Sequence, residues 1–142
     1  MPLEDLCQQY LGDLFAEYNF ETYRRIIDWS EETIEFRSGK VSLWVQYSLC
    51  RLSVEICDLL QSPREGRIGL ANLIRHRAGE DVAKHLATAV HLRFRDERVK
   101  EYGQVLRQHC RDVLAGDFAV RAELPEPSDD PWEDLRGNDF PC

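Results

Sequence analysis

Apolar and amphipathic residues near the start of the chain recur with a spacing of three and four. The eight positions are Leu3, Leu6, Cys7, Tyr10, Leu11, Leu14, Phe15 and Tyr18. This spacing lines up one stripe along one face of a helix, so it predicts an amphipathic helix of about four turns. Pro2 is tolerated at the start of such a helix, and Asn19 is a residue at which helices commonly stop.

From residue 20 onwards the apolar period changes to two, which is the period of a β-strand. Residues 20–29 are rich in aromatic and β-branched side chains, and residues 34–36 alternate before a turn at Ser38-Gly39. Residues 41–49 place every second apolar side chain on one face. The alternation then loses its phase and resumes over residues 52–56, which indicates a second hairpin. We therefore predict an antiparallel meander of three to four strands.

The helical period returns in the second half of the chain. It predicts helices over residues 68–77, 80–94 and 96–115, with Gly79 and Gly116 as stop signals and Asp96 as the cap of the last helix. The predicted fold class is therefore α+β, with an N-terminal helix, the meander, and three helices packed on the sheet. Residues 1–121 form a single domain in this prediction. Residues 122–142 form an acidic, proline-rich tail that we expect to be disordered on its own.

Length and charge refine this picture. The chain has 142 residues, of which 43% are hydrophobic, and a formal net charge of −8. That size suits one domain, and the apolar fraction is too high for a disordered protein. The charge is divided, because residues 1–35 carry −7, residues 36–121 carry +5, and residues 122–142 carry −6. Acidic ends and a basic middle can pair within the fold or present opposite charges to different partners.

The sequence carries no catalytic, metal or cofactor signature. Gly39-Lys40 is not a phosphate-binding loop, because Ile34 stands where the first glycine is needed and Val41 where Ser or Thr is needed. The four histidines are never three or four residues apart, and the five cysteines are scattered without a Cys-x-x-Cys pair. We therefore expect no enzyme, no metal, no cofactor, and reduced thiols.

The start of the chain and its longest uncharged run bear on location. The first residues are acidic rather than continuously apolar, unlike a secretory signal. Residues 41–50 form an uncharged run far shorter than the roughly 20 residues of a membrane helix. We expect a cytoplasmic protein without a membrane partner.

Acidic and aromatic residues of the first half are the best candidates for a binding surface. Trp44 shares a strand face with small polar residues, and a large aromatic group in such a setting is typical of interfaces. The same pattern arises where a helix covers the second face of a sheet, so both interpretations stay open. In the tail, Trp132 and Leu135 fall on one side of a short turn, and they dock on the body or bind a partner. The candidate partner-binding residues are Trp29, Glu31, Glu32, Glu35, Trp44, Gln46, Glu55, Trp132 and Leu135.

Basic residues of the helical half suggest an alternative function. Arg93, Arg95, Arg98 and Lys100 could form a stripe for phosphates, as in a nucleic-acid-associated regulator. Acidic residues are interleaved with them and no nucleic-acid-binding motif is present. Ion-paired outer helix faces are therefore the favoured interpretation, and another protein is favoured over nucleic acid as the partner. A homodimer is also compatible with the sequence.

The order of elements resembles that of small bacterial immunity-type proteins. The resemblance rests on the first helix, residues 20–29, the meander over residues 33–57, and the helices that end at residues 102–118. It is one of pattern, and no family residue is carried over. Such proteins neutralise toxins by binding them, so the resemblance implies a non-catalytic inhibitor that occludes a partner protein. The basic helical half departs from the uniformly acidic surface of immunity proteins that mimic nucleic acid, which leaves the partner's identity open.

Overall fold

A computed structural model describes residues 1–61 and 66–124 of the chain. It begins with helix α1 (Leu3–Tyr18), as the apolar spacing predicts. The stripe faces the core, and Leu3, Leu11 and Leu14 are almost completely buried. Asn19 ends the helix in the left-handed conformation (φ 61°), and its N–H donates to the carbonyl of Phe15.

Five strands follow α1 in a meander of antiparallel neighbours. They are β1 (Glu21–Ile27), β2 (Glu31–Arg37), β3 (Val41–Ser48), β4 (Arg51–Asp58) and β5 (Arg67–Gly69), in that order across the sheet. The hairpin between β3 and β4 lies where the apolar alternation changes phase. The fifth strand was not predicted, because its three residues are too short to show an alternation. The predicted start of a helix at Ile68 is correspondingly wrong, since Ile68 pairs with Ile56 of β4.

The two faces of the sheet differ in chemistry. One face carries Ile34, Phe36, Leu43, Val45 and Ile56, all nearly inaccessible to solvent. These side chains form the core with α1 and the later helices. The other face, called the polar face below, carries the intervening residues of β2, β3 and β4. They include Glu31, Thr33, Glu35, Arg37, Ser42, Trp44, Gln46, Ser53, Glu55 and Cys57, and Arg67 of β5 lies on the same face because it pairs with Cys57.

The second half of the described chain is helical. It contains α2 (Leu70–Ala78), α3 (Glu80–Ala87), α4 (Arg95–His109) and α5 (Arg111–Leu114), with 3₁₀ turns at Leu92–Phe94 and Ala119–Glu123. None of the helices within the described residues is long and apolar enough to cross a membrane.

Helix α3 ends earlier than its apolar pattern predicts. The chain leaves the helix after Ala87, and Val90 N–H donates to the carbonyl of Cys50 at 2.7 Å, in the β3–β4 hairpin. Tyr47 Oη donates to the carbonyl of Val90, also at 2.7 Å. These tertiary bonds hold residues 88–91 against the end of the sheet. Phe94, the last residue of the helix predicted over residues 80–94, is exposed and lies outside α3.

Candidate functional site

The predicted site residues divide into separate groups. Glu31, Glu35, Trp44, Gln46 and Glu55 lie on the polar face, where Trp44 pairs with Glu35 on one side and with Glu55 on the other. Gln46 Nε2 donates to Glu31 Oε2 at 3.3 Å. Trp44 and Glu55 are thus direct cross-strand neighbours.

The remaining predicted residues lie elsewhere. Glu32 is engaged inside the fold, because it accepts the backbone N–H of Leu3 at 3.0 Å and pairs with Arg95 at 2.7 Å. Trp29 lies in the β1–β2 hairpin, at one end of the sheet. Trp132 and Leu135 lie outside the described residues.

Glu35 is the buried centre of an ionic cluster. Its side chain has no exposed surface and accepts hydrogen bonds from Ser42 Oγ at 2.6 Å and from Arg37 Nε. Arg24 Nε lies 3.6 Å from its other oxygen. The Arg37 guanidinium stacks 3.7 Å from the centre of the Tyr23 ring. Glu35 therefore ties the edge strand β1 to the sheet and cannot itself touch a partner.

A groove opens beside this cluster. It has a volume of about 210 Å³, and six polar-face residues line it, namely Thr33, Trp44, Gln46, Ser53, Glu55 and Arg67. We call it the sheet groove. It extends towards α2 because β5 covers only the last part of β4. Burial raises the pKa of the Glu55 carboxyl, and the nearby Arg67 offsets part of that rise.

A second candidate surface lies at the end of the sheet where three connections meet. Trp29 of the β1–β2 hairpin, Leu49 of the β3–β4 hairpin and Leu92 of the 3₁₀ turn line one pocket of about 320 Å³. Ile27 and Phe94 lie beside them in the chain. We call these five residues the loop-end patch, and their side chains are between 55% and 98% exposed. Large apolar groups gathered at one place on a surface commonly mark an interaction site.

Ordered turns hold this patch in place. Asp28 Oδ1 accepts hydrogen bonds from the backbone N–H of Ser30 and Glu31 and from Ser30 Oγ, at 2.8–3.0 Å. These bonds lower the pKa of the Asp28 carboxyl. In the second hairpin, Leu49 and Cys50 both have positive φ, 51° and 62°, as a tight two-residue turn requires. Trp29 and Leu49 are thus presented on turns of defined geometry.

Sequence reasoning found only Trp29 of the loop-end patch. Leu49 was assigned to the apolar strand face, but it lies in the turn and is exposed. The phase change after Leu49 was the available signal, since a residue at such a break leaves the alternating pattern. The proximity of Leu92 depends on the tertiary bonds of Val90 and has no signal in the sequence.

The described residues give little support to covalent or metal chemistry. No group of three His, Cys, Asp or Glu within residues 1–61 and 66–124 could hold a metal ion. Burial raises the pKa of the Cys7 and Cys110 thiols to about 12 and that of Cys57 to about 11, so these free thiols are protonated at neutral pH. The expectation of five reduced thiols is wrong at Cys50, which is disulfide-bonded.

Many basic side chains of the helical half form ion pairs within the fold. Arg98 also donates to the carbonyls of Leu86 and Thr88, at 2.9 and 2.8 Å. Such bonds compete with phosphate contacts, so the arrangement favours the interpretation of ion-paired helices. The arginine ion pairs of this half include Arg75–Glu80, Arg77–Asp112, Arg95–Glu32, Arg98–Glu101, Arg107–Asp13 and Arg111–Glu17.

Comparison with known proteins adds no functional assignment. No family model, no curated protein and no solved structure matches the chain.

Proposed function

We propose that this chain is a non-catalytic protein-binding module that inhibits or regulates a partner protein by covering part of its surface. The loop-end patch carries the proposal. It joins exposed apolar side chains from three separate connections around one pocket, and Trp29, which lines that pocket, is 98% exposed. Tryptophan in this position is the residue type most enriched among side chains that dominate binding energy.

The patch suits a partner of particular chemistry. Asp28 and Glu31 line its pocket beside the apolar groups. An apolar centre with an acidic border fits a protein surface that has an apolar pocket and basic residues around it. A toxin with a positively charged active cleft is one such surface, and occlusion of that cleft is how an immunity-type protein would act.

The ordered turns that carry Trp29 and Leu49 also favour a role in binding. A side chain held by an ordered turn loses less conformational freedom when it enters an interface, so more of its contact energy appears as affinity. Truncation of a central interface tryptophan typically costs about 2 kcal/mol or more of binding free energy. We expect that range for Trp29→Ala, which corresponds to a loss of affinity of about thirtyfold or more.

A capture experiment with matched variants tests the proposal. The immobilised full chain, Trp29→Ala, Leu92→Ala and the control Leu60→Ala are compared with the protein products of its own source cells. Leu60 is 77% exposed and lies in the β4–β5 connection, outside the patch. We expect one protein to be retained by the wild type and by Leu60→Ala and to be lost from both patch variants. Retention that does not depend on Trp29, or no retained protein, would refute the proposal.

A functional arm follows once a partner is retained. The partner's own activity is measured with increasing amounts of wild type and of Trp29→Ala. Inhibition at equimolar wild type, weakened in the variant, supports an inhibitor. A concentration-dependent dimer that Trp29→Ala converts to a monomer would instead identify the patch as a self-association surface and would overturn the inhibitor proposal.

A further inference from the structure

The sheet groove is a second concave site, separate from the loop-end patch. It opens between the polar face and α2, where β5 pairs with Glu55, Ile56 and Cys57 and leaves the earlier part of β4 beside the helix. Its volume of about 210 Å³ is below the roughly 300–1,000 Å³ of pockets that hold drug-sized ligands. The groove therefore suits one small ring rather than a large molecule.

Polar side chains of the groove have hydrogen-bonding capacity that the fold does not use. The side chains of Thr33, Ser53 and Glu55 form no hydrogen bond with another residue in the described part of the chain. Gln46 donates through Nε2 to Glu31, so its Oε1 atom remains as an acceptor. A carboxylate and an amide oxygen only accept hydrogen bonds, whereas the two hydroxyls accept and donate. The groove therefore matches a ligand that supplies hydrogen-bond donors.

The charges at the groove favour a neutral ligand. Among the described residues that line it, Glu55 and Arg67 are the charged ones, and their formal charges cancel. Burial raises the pKa of the Glu55 carboxyl and Arg67 lowers it, so the two groups already interact. A cationic ligand would meet Arg67, and an anionic ligand would meet Glu55. A neutral ligand with hydroxyl groups avoids both repulsions and still pairs with the unused acceptors.

Trp44 gives the groove an apolar wall. Its neighbours in the sheet are Glu35 on β2 and Glu55 on β4, and the Arg24 guanidinium lies 5.7 Å from the centre of its ring. Arg24 pairs with Glu35, so Trp44 lies between this arginine and the Glu55 side of the groove. The half-buried indole buries apolar surface of a ligand well. A six-membered sugar ring has such a surface, because its C–H groups form an apolar face and its hydroxyls lie around the rim.

We propose that the sheet groove binds a single neutral pyranose ring, either a free sugar or the end of a glycan. The C–H face of the sugar packs on Trp44, and its hydroxyls donate to the Glu55 carboxylate and to Gln46 Oε1. Thr33 and Ser53 complete the hydrogen bonds to the rim. The loop-end patch takes no part in this binding, so the inference stands independently of the proposed function.

Binding of simple sugars to the full chain tests the inference. Methyl glycosides of glucose, galactose and mannose are titrated up to about 100 mM, and saturation transfer from the protein to each sugar is recorded by NMR. A ligand with so few atoms is expected to bind with a dissociation constant of millimolar order. We expect at least one glycoside to bind in this range, with the strongest transfer to its ring C–H protons. It should bind about tenfold more tightly than at least one of the others, which differ only in the direction of hydroxyl groups.

Matched variants assign the binding to the groove. Glu55→Gln keeps the shape of the side chain but replaces the carboxylate, and it should weaken binding about tenfold. Trp44→Ala should weaken it at least as much, whereas Trp44→Phe keeps an aromatic face and should retain most of the affinity. The controls make the same changes outside the groove. They are Trp29→Ala in the loop-end patch and Glu21→Gln in β1, and both should bind as the wild type does.

Disaccharides that end in the bound sugar separate the two sources of the ring. Tighter binding of the disaccharide identifies a glycan end, and equal or weaker binding identifies a free sugar. The inference is overturned if none of the three glycosides binds, if Glu55→Gln binds as the wild type does, or if Trp29→Ala abolishes binding. It is also overturned if adenine binds the groove and the sugars do not, because the site would then recognise a flat base.

Discussion

Helices α1 and α4 pack closely at Gly103, where there is no room for a larger side chain. Substitution of this glycine therefore tests the packing of the two helices. A Cβ added at Gly103 would lie 3.0 Å from Leu11 Cδ2, 3.0 Å from the carbonyl oxygen of Tyr10 and 2.9 Å from Arg107 Nη1. Gly12, in the middle of α1, has open space at the same position, with nothing within 4 Å. The variants Gly103→Ala and Gly12→Ala therefore make the same chemical change in two helices with opposite surroundings.

The two substitutions are expected to change the unfolding free energy differently. Replacing a helical glycine with alanine stabilises a helix by about 1 kcal/mol, and Gly12→Ala should show that full gain. At Gly103 the same gain is opposed by overpacking, which costs about 1–3 kcal/mol. The displaced Arg107 would also strain its hydrogen bond to the Tyr10 carbonyl. We expect Gly103→Ala to be less stable than Gly12→Ala by about 1–3 kcal/mol.

Urea unfolding measures this difference. Both variants should keep the wild-type dependence of the unfolding free energy on urea, and only the midpoints should move, upward for Gly12→Ala and downward or not at all for Gly103→Ala. Equal stabilisation by both substitutions would show that α1 and α4 do not approach each other at Gly103, and the packing described above would then be wrong.

Three further predictions follow from individual contacts. Burial raises the folded-state pKa of Glu55, so the stability that the neutral carboxyl contributes is lost as pH rises through that pKa. Glu55→Gln should therefore raise the unfolding free energy measured by urea titration at pH 7, and the gain should vanish below about pH 4; a gain that persists there would contradict this reasoning. Tyr102→Phe should lower the unfolding free energy by about 1–2 kcal/mol, because the buried hydroxyl donates to the Leu52 carbonyl at 2.8 Å; an unchanged urea midpoint would contradict that bond. Trp29→Ala should change stability by less than about 0.5 kcal/mol in thermal unfolding, since the side chain is fully in solvent, and a larger loss would mean that Trp29 packs on the fold.

The parts of the fold that sequence reasoning predicted are those with a repeating local pattern. Helix α1 and strands β3 and β4 each bury one face in the core. A single buried face produces a regular spacing of apolar residues, and this spacing can be recognised in the sequence. The phase change after Leu49 marked a hairpin for the same reason.

The parts that were missed depend on contacts between distant residues. Strand β5 has one buried apolar residue, Ile68, and exists because it pairs with β4. The early end of α3 is set by Val90 N–H, which donates to Cys50 forty residues earlier in the chain. Glu35 was predicted to bind a partner, yet it is buried, and Ser42 and Arg37 provide the hydrogen bonds that allow its burial. No local pattern contains any of these pairings.

Ion pairs within the fold join the acidic and basic parts of the sequence, and this bears on which surface can bind a partner. Three of the ion pairs between helices and the rest of the fold join arginines of the basic middle to acids of the first 35 residues, through Arg95, Arg107 and Arg111. Their charges offset each other locally, so the polarity seen along the chain does not translate into one acidic and one basic face. Trp29 differs from these residues, because it contributes neither to the core nor to an ion pair, and an ordered turn holds it in water. Folding of the monomer gains almost nothing from that arrangement, and contact with a second molecule is what would make it favourable.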